Sequence, residues 1–402
     1  MSIENREVKS FLGSSVADVL VADVLVVGAG MAGLRTATLL ARAGHDVLLI
    51  DRRPALARPV RTTGIFVRRT LDDFALPAEF LGPVIRRVAL YPPLPGRPVV
   101  LTSPRDEFRV GDMGPLYAAM ADEARAAGVR VALGTRFTAW GTNTALVSGP
   151  EGPTVVRARF LVGADGARSR VARMLGLDVN RRFLVGAEQV HPTSPTGEPT
   201  FHCVLDPHLA PGYLAWVVDD GRHAHIGLAG RPDRYRHGIR AALDEFRTQA
   251  AGLIPRATGP TEHRAGLIPV GGVLDRIACG DGLLVGDAAG AVSPLTAGGL
   301  DPCLRLSDLA ADLLGRALAH GPAELAAYDG AGLRSRFRTR LLMRHGMDLL
   351  RGRTLGRLGV AALRTPPGRA MAGQILFGDR SFPLPSRPRV PVGLPVPARE
   401  IR

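Results

Sequence analysis

The sequence predicts an α/β fold, and three glycine-rich segments carry this prediction. They lie at 24–33, 160–170 and 282–299, and each begins with a short aliphatic run of the kind that forms a buried strand. Each run then passes into glycines and the start of a helical segment. No apolar run reaches the about 18 residues of a membrane span, so we expect a globular protein with helices packed on a central sheet.

The first segment has the spacing of a dinucleotide-binding βαβ unit. A β-branched run is followed by Gly28, Gly30 and Gly33 in the pattern G-x-G-x-x-G. Gly28 permits the tight turn, Gly30 lets the backbone approach a pyrophosphate, and Gly33 allows close packing of helix on strand. A helix and a second strand follow, and the strand ends at Asp51. Because every part falls at its required position, we predict a dinucleotide site here.

The start of the helix and the end of the second strand supply the expected nucleotide contacts. Met31 and Ala32 open the helix, whose free N–H groups and positive dipole end attract phosphate. Asp51 would accept hydrogen bonds from an adenosine ribose, and Arg52 follows it in the chain. These four residues therefore belong to the predicted site.

The second and third segments each place an aspartate after a strand. Asp165-Gly166 follows the second run, and Gly286-Asp287 follows the third. Ligands bind outside the carboxyl ends of the strands in open α/β sheets, so both aspartates are candidate contacts. Gly298-Gly299 then opens another helix, whose N-terminus suits a negative charge.

The ordered set G-x-G-x-x-G, D-G and G-D resembles the glutathione-reductase-type FAD fold shared by the aromatic hydroxylases and the geranylgeranyl reductases. The resemblance covers about residues 21–330. It implies an FAD/NAD(P)-binding Rossmann-like domain, an inserted antiparallel-sheet substrate domain and a C-terminal helical tail. FAD is the implied cofactor. Since the sequence has no second βαβ nucleotide unit, NADPH or NADH would visit the flavin transiently, or another protein would supply the electrons.

The resemblance also implies where the cofactor lies. The pyrophosphate would lie against the first segment, and the isoalloxazine against the third. The implied FAD-binding residues are Gly28, Gly30, Met31, Ala32, Gly33, Asp51, Arg52, Arg61, Arg109, Asp165, Gly166, Gly286, Asp287, Pro294, Gly298, Gly299 and Leu300.

Details of the motifs favour the geranylgeranyl reductase-like branch. The aromatic hydroxylases usually read G-D-A-A-H, whereas this chain has Gly290 at the histidine position. The reductases carry Y-x-W-x-F-P, and here Tyr213 and Trp216 are one residue further apart and lack the Phe-Pro. Near Met113 the reductases carry an arginine, and Arg109 is the candidate to replace it. The halogenase motif W-x-W-x-I-P is absent from the sequence.

Three residues are candidates for the chemical step. Asp301 follows the Gly298-Gly299 pair and would be either a general acid beside the flavin or a first-turn acid favoured by the helix dipole. Tyr213 and Trp216 would line the substrate site or lie in the sheet core. Cys303 is more easily explained as a packing residue. We predict no metal site, because no ligand spacing links the histidines at 191, 202, 223 and 225.

The predicted function is that of an FAD-dependent oxidoreductase acting on an apolar substrate, such as a prenyl chain, a lipid or a natural product. The expected reaction is reduction of a C=C bond or the reverse dehydrogenation. The alternatives are an FAD-dependent monooxygenase, a lycopene-cyclase-like enzyme without net redox change, and a flavin-binding partner protein without enzymatic activity.

The predicted domains are discontinuous. A mobile lead-in precedes the FAD-binding domain, which is interrupted twice by the substrate domain and followed by a basic tail. The boundaries are 1–20 for the lead-in, 21–65, 108–178 and 265–330 for the FAD-binding domain, 66–107 and 179–264 for the substrate domain, and 331–402 for the tail.

The tail carries almost all the excess charge. From residue 331 to 402 there are 15 arginines and 3 acids, a net charge of +12 of the +14 in the whole chain. The nearly neutral remainder argues against a nucleic-acid partner. Residues 333–364 are amphipathic and would either pack with solvated arginines or lie on an anionic membrane, and after Thr365 we expect an extended chain. The three cysteines have no C-x-x-C or zinc-site spacing, which favours a protein of the reducing cytoplasm. Peripheral contact with a membrane is an additional hypothesis.

Overall fold

Two large β-sheets organise the chain. The computed structural model describes residues 19–57, 60–194, 197–349, 351–378 and 381–382. The strands in chain order are β1 (Val19–Val27), β2 (Val47–Asp51), β3 (Ile65–Val67), β4 (Arg87–Tyr91), β5 (Val99–Thr102), β6 (Phe108–Val110), β7 (Arg130–Leu133), β8 (Arg136–Gly141), β9 (Thr144–Gly149), β10 (Gly152–Gly163), β11 (Phe183–Pro192), β12 (Thr200–Val204), β13 (Ala215–Asp219), β14 (His223–Gly230), β15 (Glu262–Pro269), β16 (Ala278–Cys279) and β17 (Gly282–Leu284).

The helices pack on these sheets and continue beyond them at the C-terminal side. They are α1 (Met31–Arg42), α2 (Arg68–Asp73), α3 (Met113–Ala126), α4 (Arg170–Met174), α5 (Gly238–Gln249), α6 (Leu300–His320), α7 (Gly330–Ser335), α8 (Arg338–Leu349), α9 (Gly352–Ala362) and α10 (Pro366–Phe377). No helix in these ranges is both long and apolar enough to cross a membrane.

The first sheet has a parallel centre in the order β17-β10-β1-β2-β7. Val24 of β1 lies opposite Phe160 of β10 on one side and Val47 of β2 on the other. These strands are aliphatic and nearly fully buried, as expected when helices cover both faces of a parallel sheet. Helix α1 packs against α3 and α6. The predicted α/β fold with a Rossmann-like βαβ unit is confirmed by this arrangement.

The second sheet has the order β15-β11-β14-β13-β12-β4-β5 and is antiparallel except where β12 meets β4. Strands β12, β13 and β14 lie within residues 179–264, where the antiparallel sheet of the substrate domain was predicted. A turn at Gly221, which has a φ of +90°, joins the last two of them. Helix α5 covers one face of this sheet through Leu243 and Phe246.

Two expectations about the chain ends need correction. Strand β1 begins at Val19, so the last residues assigned to the lead-in already pair with β10. The segment after Thr365 is helical through Phe377 rather than extended. The Thr365 hydroxyl accepts a hydrogen bond from the N–H of Gly368, and prolines at the first helical positions have the backbone angles that a helix needs. Residues 383–402 and 1–18 lie outside the described ranges.

Candidate functional site

A cavity of about 860 Å³ lies between the two sheets and the C-terminal helices. On the first sheet it is lined by the turns that follow β1, β10 and β17, through Gly30, Gly166 and Asp287. Parallel strands end at the same edge of the sheet, and this edge is where α/β proteins bind their ligands. The three motifs found in the sequence therefore meet at one cavity.

The glycines of the first motif hold the backbone of α1 close to β1 and β10. A Cβ on Gly28 would lie 2.3 Å from the carbonyl oxygen of Ala164, and one on Gly33 would lie 1.8 Å from that of Gly28. A Cβ on Gly30 would meet nothing within 4 Å. Gly28 and Gly33 are therefore required for packing, whereas Gly30 leaves space on the cavity side, as an approaching pyrophosphate needs.

The N-terminus of α1 faces this space. Gly30 is the N-cap residue and no described side chain caps the helix there. Met31 and Ala32 line the cavity, and their N–H groups belong to the first turn, which lacks partners within the helix. A helix N-terminus of this kind binds a phosphate group through its N–H groups and its dipole.

Asp51 is held at the end of β2 by Arg53. The Arg53 guanidinium lies 3.0 and 2.9 Å from the two carboxylate oxygens, and the N–H of Ala29 donates to one of them at 2.7 Å. Burial alone would raise the pKa of Asp51, but these hydrogen bonds outweigh it and lower the pKa. Arg53 also lines the cavity, whereas Arg52 is exposed and does not. The exposed position of Arg52 therefore does not support the predicted FAD contact there, and Arg53 is the arginine of this turn that lies at the cavity.

The two aspartates of the later motifs differ in their surroundings. Asp165 accepts hydrogen bonds from the Ser169 hydroxyl at 2.6 Å and from the N–H groups of Arg170 and Val171, so it orders the start of α4. Its neighbour Gly166 lines the cavity, and Asp165 itself does not. Asp165 therefore acts through the shape of the turn.

Asp287 faces the cavity directly. Burial raises the pKa of Asp287 to about 6, because the charged form loses solvation there. A Cβ on Gly299 would lie 3.7 Å from its Oδ1, so the start of α6 lies beside this carboxyl group. Gly286, Gly298, Gly299 and Leu300 also line the cavity.

Two further positions of the third motif are explained by packing. Gly290 has a φ of +69°, and a Cβ there would lie 2.5 Å from the carbonyl oxygen of Gly272. A histidine therefore does not fit at Gly290 with this backbone. Pro294 does not line the cavity, although its neighbours Ser293 and Leu295 do. The lining of the cavity therefore does not support the expected flavin contact at Pro294.

Asp301 is part of a buried ion pair. Its Oδ1 lies 2.8 Å from Arg305 Nε and 3.1 Å from the Thr70 hydroxyl, and its Oδ2 accepts a hydrogen bond from Ser381. Arg305 is 1% exposed and also pairs with Asp73 at 2.6 Å. Asp301 does line the cavity, but a carboxylate paired with a buried guanidinium is poorly suited to donate a proton. The general-acid prediction for Asp301 is therefore not supported by its contacts.

Tyr213 and Trp216 both line the cavity. The Tyr213 hydroxyl donates to the carbonyl oxygen of Thr296 in the third motif, and burial raises the pKa of this phenol. Trp216 Nε1 donates to Glu188 at 3.2 Å. The ring of Trp216 covers Gly227 on the adjacent strand. Both aromatics therefore lie at the cavity rather than only in the sheet core, and their contact with a substrate stays a prediction.

The two remaining arginines lie differently. Arg61 lines the cavity. Arg109 donates to the carbonyl oxygens of Gly82 and Leu81 at 2.7 and 3.2 Å and is not among the lining residues. The guanidinium of Arg109 is thus held by a loop of the substrate side, and its contacts do not support the expected FAD contact.

The sequence analysis missed two parts of the site. Glu188 of β11 lines the cavity and is 5% exposed, and a single acid within the apolar run 183–190 was a usable signal. Helices α8, α9 and α10 also line the cavity, through Met343, Met347, Leu363 and Met371. These apolar residues carry no motif, so only the folded chain brings them to the site.

The glycine turn, the open helix N-terminus and the acidic residues at the strand ends fit FAD and define a dinucleotide-binding flavoprotein. A family model described as an FAD binding domain matches residues 21–75 and 115–319. A digeranylgeranylglycerophospholipid reductase from Methanoculleus marisnigri is 32% identical over 321 residues, which cover 74% of this chain and 78% of the relative. The chain therefore belongs to the digeranylgeranylglycerophospholipid reductase family of FAD-dependent oxidoreductases.

Solved structures share the fold. A geranylgeranyl bacteriochlorophyll reductase-like protein from Thermoplasma acidophilum has a TM-score of 0.76 at 22% identity and covers 89% of this chain and 100% of its own. A probable FAD-dependent monooxygenase from Pseudomonas aeruginosa has a TM-score of 0.62 at 20% identity, covering 85% and 99%. At these identities the likeness concerns the fold.

Gly30→Ala and Gly33→Ala are expected to separate cofactor binding from folding. Gly33→Ala should lower the unfolding free energy, because its Cβ overlaps a backbone carbonyl. Gly30→Ala should change it by no more than about 0.5 kcal/mol but weaken FAD binding, because the methyl group enters the pyrophosphate space. The measurements are denaturant unfolding and flavin fluorescence titration. Gly252→Ala, another open position, is the control, and unchanged FAD affinity in Gly30→Ala would contradict the assignment.

Asp287→Asn is expected to remove a pH dependence of stability in the FAD-free protein. The pKa of Asp287 in the folded state is raised to about 6, so its contribution is fully present below about pH 4 and is lost as the pH rises through about 6. The variant should unfold at a higher temperature than the wild type at about pH 8 and at the same temperature at about pH 4. Asp122→Asn, at an exposed acid, is the control. A variant that follows the wild-type pH curve would rule out a buried charge at Asp287.

Proposed function

We propose that this protein reduces carbon–carbon double bonds of a prenyl lipid at bound FAD. The cavity carries the proposal: beyond the flavin loops its walls are largely apolar, with Phe201 and Leu205 from the second sheet and Met347 and Leu363 from the C-terminal helices. Burial of a hydrocarbon chain against such walls is favourable. The names of the relatives, which are prenyl-lipid reductases, support the same substrate class.

FAD, when bound, supplies both a hydride donor and a hydride acceptor in one molecule. The N–H groups of Met31 and Ala32 would hold its pyrophosphate, and Asp287 would contact its ribityl or pyrophosphate end. The first turn of α6, at Gly299 and Leu300, would stabilise negative charge on the reduced group through the helix dipole. Tyr213, fixed to the Thr296 carbonyl, and Trp216 form the substrate side of the cavity.

We infer that NADPH or NADH reduces the flavin in a transient encounter. The inference rests on the parallel strands of the first sheet. Among the described residues, one glycine-rich βαβ turn faces the cavity, and FAD would occupy it. A nicotinamide would therefore approach through the substrate side of the same cavity. Arg61 and Arg264, which line that side, are cations that a nucleotide phosphate would contact.

The expected product is a digeranylgeranylglycerophospholipid with two hydrogen atoms added at each reduced double bond. The FAD-loaded protein should form it in the absence of oxygen with dithionite as the reductant, so that the result does not depend on the natural donor. Mass spectrometry of the extracted lipid measures the product. The control reaction contains free FAD and dithionite without protein.

Other products would decide against a reductase. Addition of an oxygen atom to the lipid, in air and with reductant, would favour a monooxygenase. This is the second candidate function because a probable FAD-dependent monooxygenase shares the fold. An isomer of unchanged mass would favour a cyclase-like reaction. An unchanged lipid under both conditions would contradict the proposed substrate class.

We propose further that the C-terminal helices contact an anionic membrane surface. The exposed large apolar residues of the described chain lie mainly here, with Leu342 at 73%, Leu349 at 75% and Leu358 at 60%. Arginines are interspersed with them on α8, α9 and α10. Apolar and basic residues together suit the interface of a bilayer with anionic headgroups. Because the same helices line the cavity, a lipid would enter the site from that surface.

Leu349→Ser combined with Leu358→Ser is expected to reduce binding to vesicles that contain anionic phospholipid, because both substitutions remove apolar area that would enter the interface. Co-sedimentation of the protein with the vesicles measures binding, at low and high salt. Val21→Ser, an exposed apolar position on β1, is the matched control and should bind as the wild type does. Equal binding of all three proteins, or binding by none, would remove the membrane proposal.

A further inference from the structure

A row of buried charged side chains connects the cavity with the surface through the second sheet. Glu188 on β11 lines the cavity. Its Oε1 lies 3.6 Å from Nδ1 of His225 on the neighbouring strand β14, and Nε2 of His225 lies 3.0 Å from Oδ2 of Asp220. The same Asp220 oxygen lies 3.4 Å from Nδ1 of His223, whose side chain is 37% exposed. We call these four residues the Glu188 row.

The inner three members of the Glu188 row are deeply buried. Glu188, His225 and Asp220 are 5%, 2% and 9% exposed. Taking charged groups out of water costs stability, and a buried ion pair is often no better for stability than apolar side chains of the same volume. Packing alone therefore gives a weak reason for three ionisable residues at this position. Their placement between a cavity and solvent gives a functional one.

The row stores a proton at His225. Burial alone would lower the pKa of His225, but the hydrogen bond with Asp220 and the nearby carboxylate charges of Asp220 and Glu188 outweigh it and raise the pKa to about 9. Burial would raise the pKa of Asp220, but the hydrogen bond from His225 and those from backbone N–H groups lower it to about 2. His225 is therefore an imidazolium between two carboxylates at neutral pH.

The contacts of Glu188 orient it between His225 and the cavity. Its Oε1 accepts hydrogen bonds from the Thr63 hydroxyl at 2.6 Å and from Trp216 Nε1 at 3.2 Å, and Arg264 lies 3.8 Å from Oε2. Burial would raise the pKa of Glu188, but His225, Thr63 and Arg264 together lower it. Nδ1 of His225 has no hydrogen-bond partner among the described residues, so Glu188 is the acceptor within its reach.

We propose that Glu188 transfers a proton between the substrate double bond and the His225 imidazolium, and that Asp220 and His223 connect His225 with solvent. The inference rests on the proposed reduction of a C=C bond. One carbon takes the hydride described above, which leaves the flavin oxidised. At the other carbon a C–H bond forms as the N–H bond at Nδ1 of His225 breaks and Glu188 passes the proton on, so that Glu188 is a carboxylate before and after the step, in line with its lowered pKa. Neutral His225 then regains a proton from solvent through Asp220 and His223.

Assigned in this way, Glu188 is a catalytic residue, and the other three are positioning residues that act through it. The pKa of His225 is raised, so the proton is present below about pH 9 and is lost above it. The other ionisable groups near the row, Arg264 and Asp219, are a cation beside Glu188 and an acid beside Asp220. Turnover of the wild type should therefore fall as the pH rises through about 9.

The first experiment compares kcat, KM and FAD affinity across pH with the digeranylgeranylglycerophospholipid. Glu188→Gln keeps the shape of the side chain but carries no transferable acid proton. It should lower kcat roughly a hundredfold or more while KM and FAD affinity stay as in the wild type. His225→Gln should lower kcat and remove the fall near pH 9. Glu188→Asp, which keeps the acid on a shorter side chain, should restore part of the activity.

Matched controls test whether any buried charge or histidine would give the same result. Glu123→Gln changes a buried glutamate that pairs with Arg42 at 2.8 Å on the first sheet's helices. His191→Gln changes a buried histidine on the same strand as Glu188, where Nε2 lies 3.1 Å from the carbonyl oxygen of Pro255. Both variants should keep the wild-type kcat and pH profile. A wild-type kcat in folded Glu188→Gln would overturn the proposed proton transfer through the Glu188 row and leave the proposed reduction intact.

The second experiment needs neither substrate nor FAD. An NMR titration of the histidine rings in the FAD-free protein should show His225 titrating near pH 9, and at lower pH in Glu188→Gln because one of two carboxylates is lost. If His225 titrates at the ordinary histidine pH, or if its titration is the same in Glu188→Gln, the proposed proton transfer is overturned whatever the activity. If His225 titrates as expected but the protein leaves the prenyl lipid unchanged, the proton held at His225 is retained and the proposed function is contradicted.

Discussion

The close approach of α1 to the ends of β1 and β10 determines where the rest of the site lies. A side chain at Gly33 would overlap the carbonyl of Gly28, and one at Gly28 would overlap that of Ala164. Without these side chains, the first turn of α1 reaches the edge where the parallel strands end. Helix α6 packs along α1, and the Ser307 hydroxyl donates to the Ala32 carbonyl at 3.2 Å. The two helix N-termini that would hold the phosphates and the reduced flavin are therefore positioned by one backbone contact.

A buried arginine, Arg344, attaches α8 to this core. Arg344 of α8 is 2% exposed, donates to the carbonyl of Gly212, pairs with Asp348 at 3.0 Å and lies over the ring of Tyr213. Tyr213 in turn donates to the loop before α6. A buried guanidinium without partners would be costly, so these contacts are formed together. The described helices α8, α9 and α10 of the segment that its charge had marked as a separate basic tail thus form a wall of the cavity.

The sequence predicted the features that depend on local geometry. A glycine turn, the strand before it and the helix after it need only neighbouring residues, so the three motifs and the βαβ unit were found. Arg52 and Arg53 are adjacent, and the conformation of the whole turn decides which of them faces the cavity. The sequence alone pointed to Arg52, which is the exposed one. The partners of Asp301 and Arg109 come from distant segments, and no pattern in the sequence indicates them. Helix α10 was missed although Thr365 and the prolines after it are an N-terminal signal, because the proline and arginine content was interpreted as extended chain.

The two walls of the cavity divide the chemistry that reduction of a double bond requires. The first sheet presents the flavin loops and Asp287. The pKa of Asp287 is raised to about 6, which still leaves its carboxyl group mainly ionised at neutral pH. The second sheet presents Glu188, which has a protonated histidine behind it. A proton used at a buried carbon must be replaced from solvent, and only a group with an ionisable neighbour on its outer side can be recharged without opening the cavity. Because Glu188 has such a neighbour in His225, hydride and proton would reach the substrate from opposite sheets.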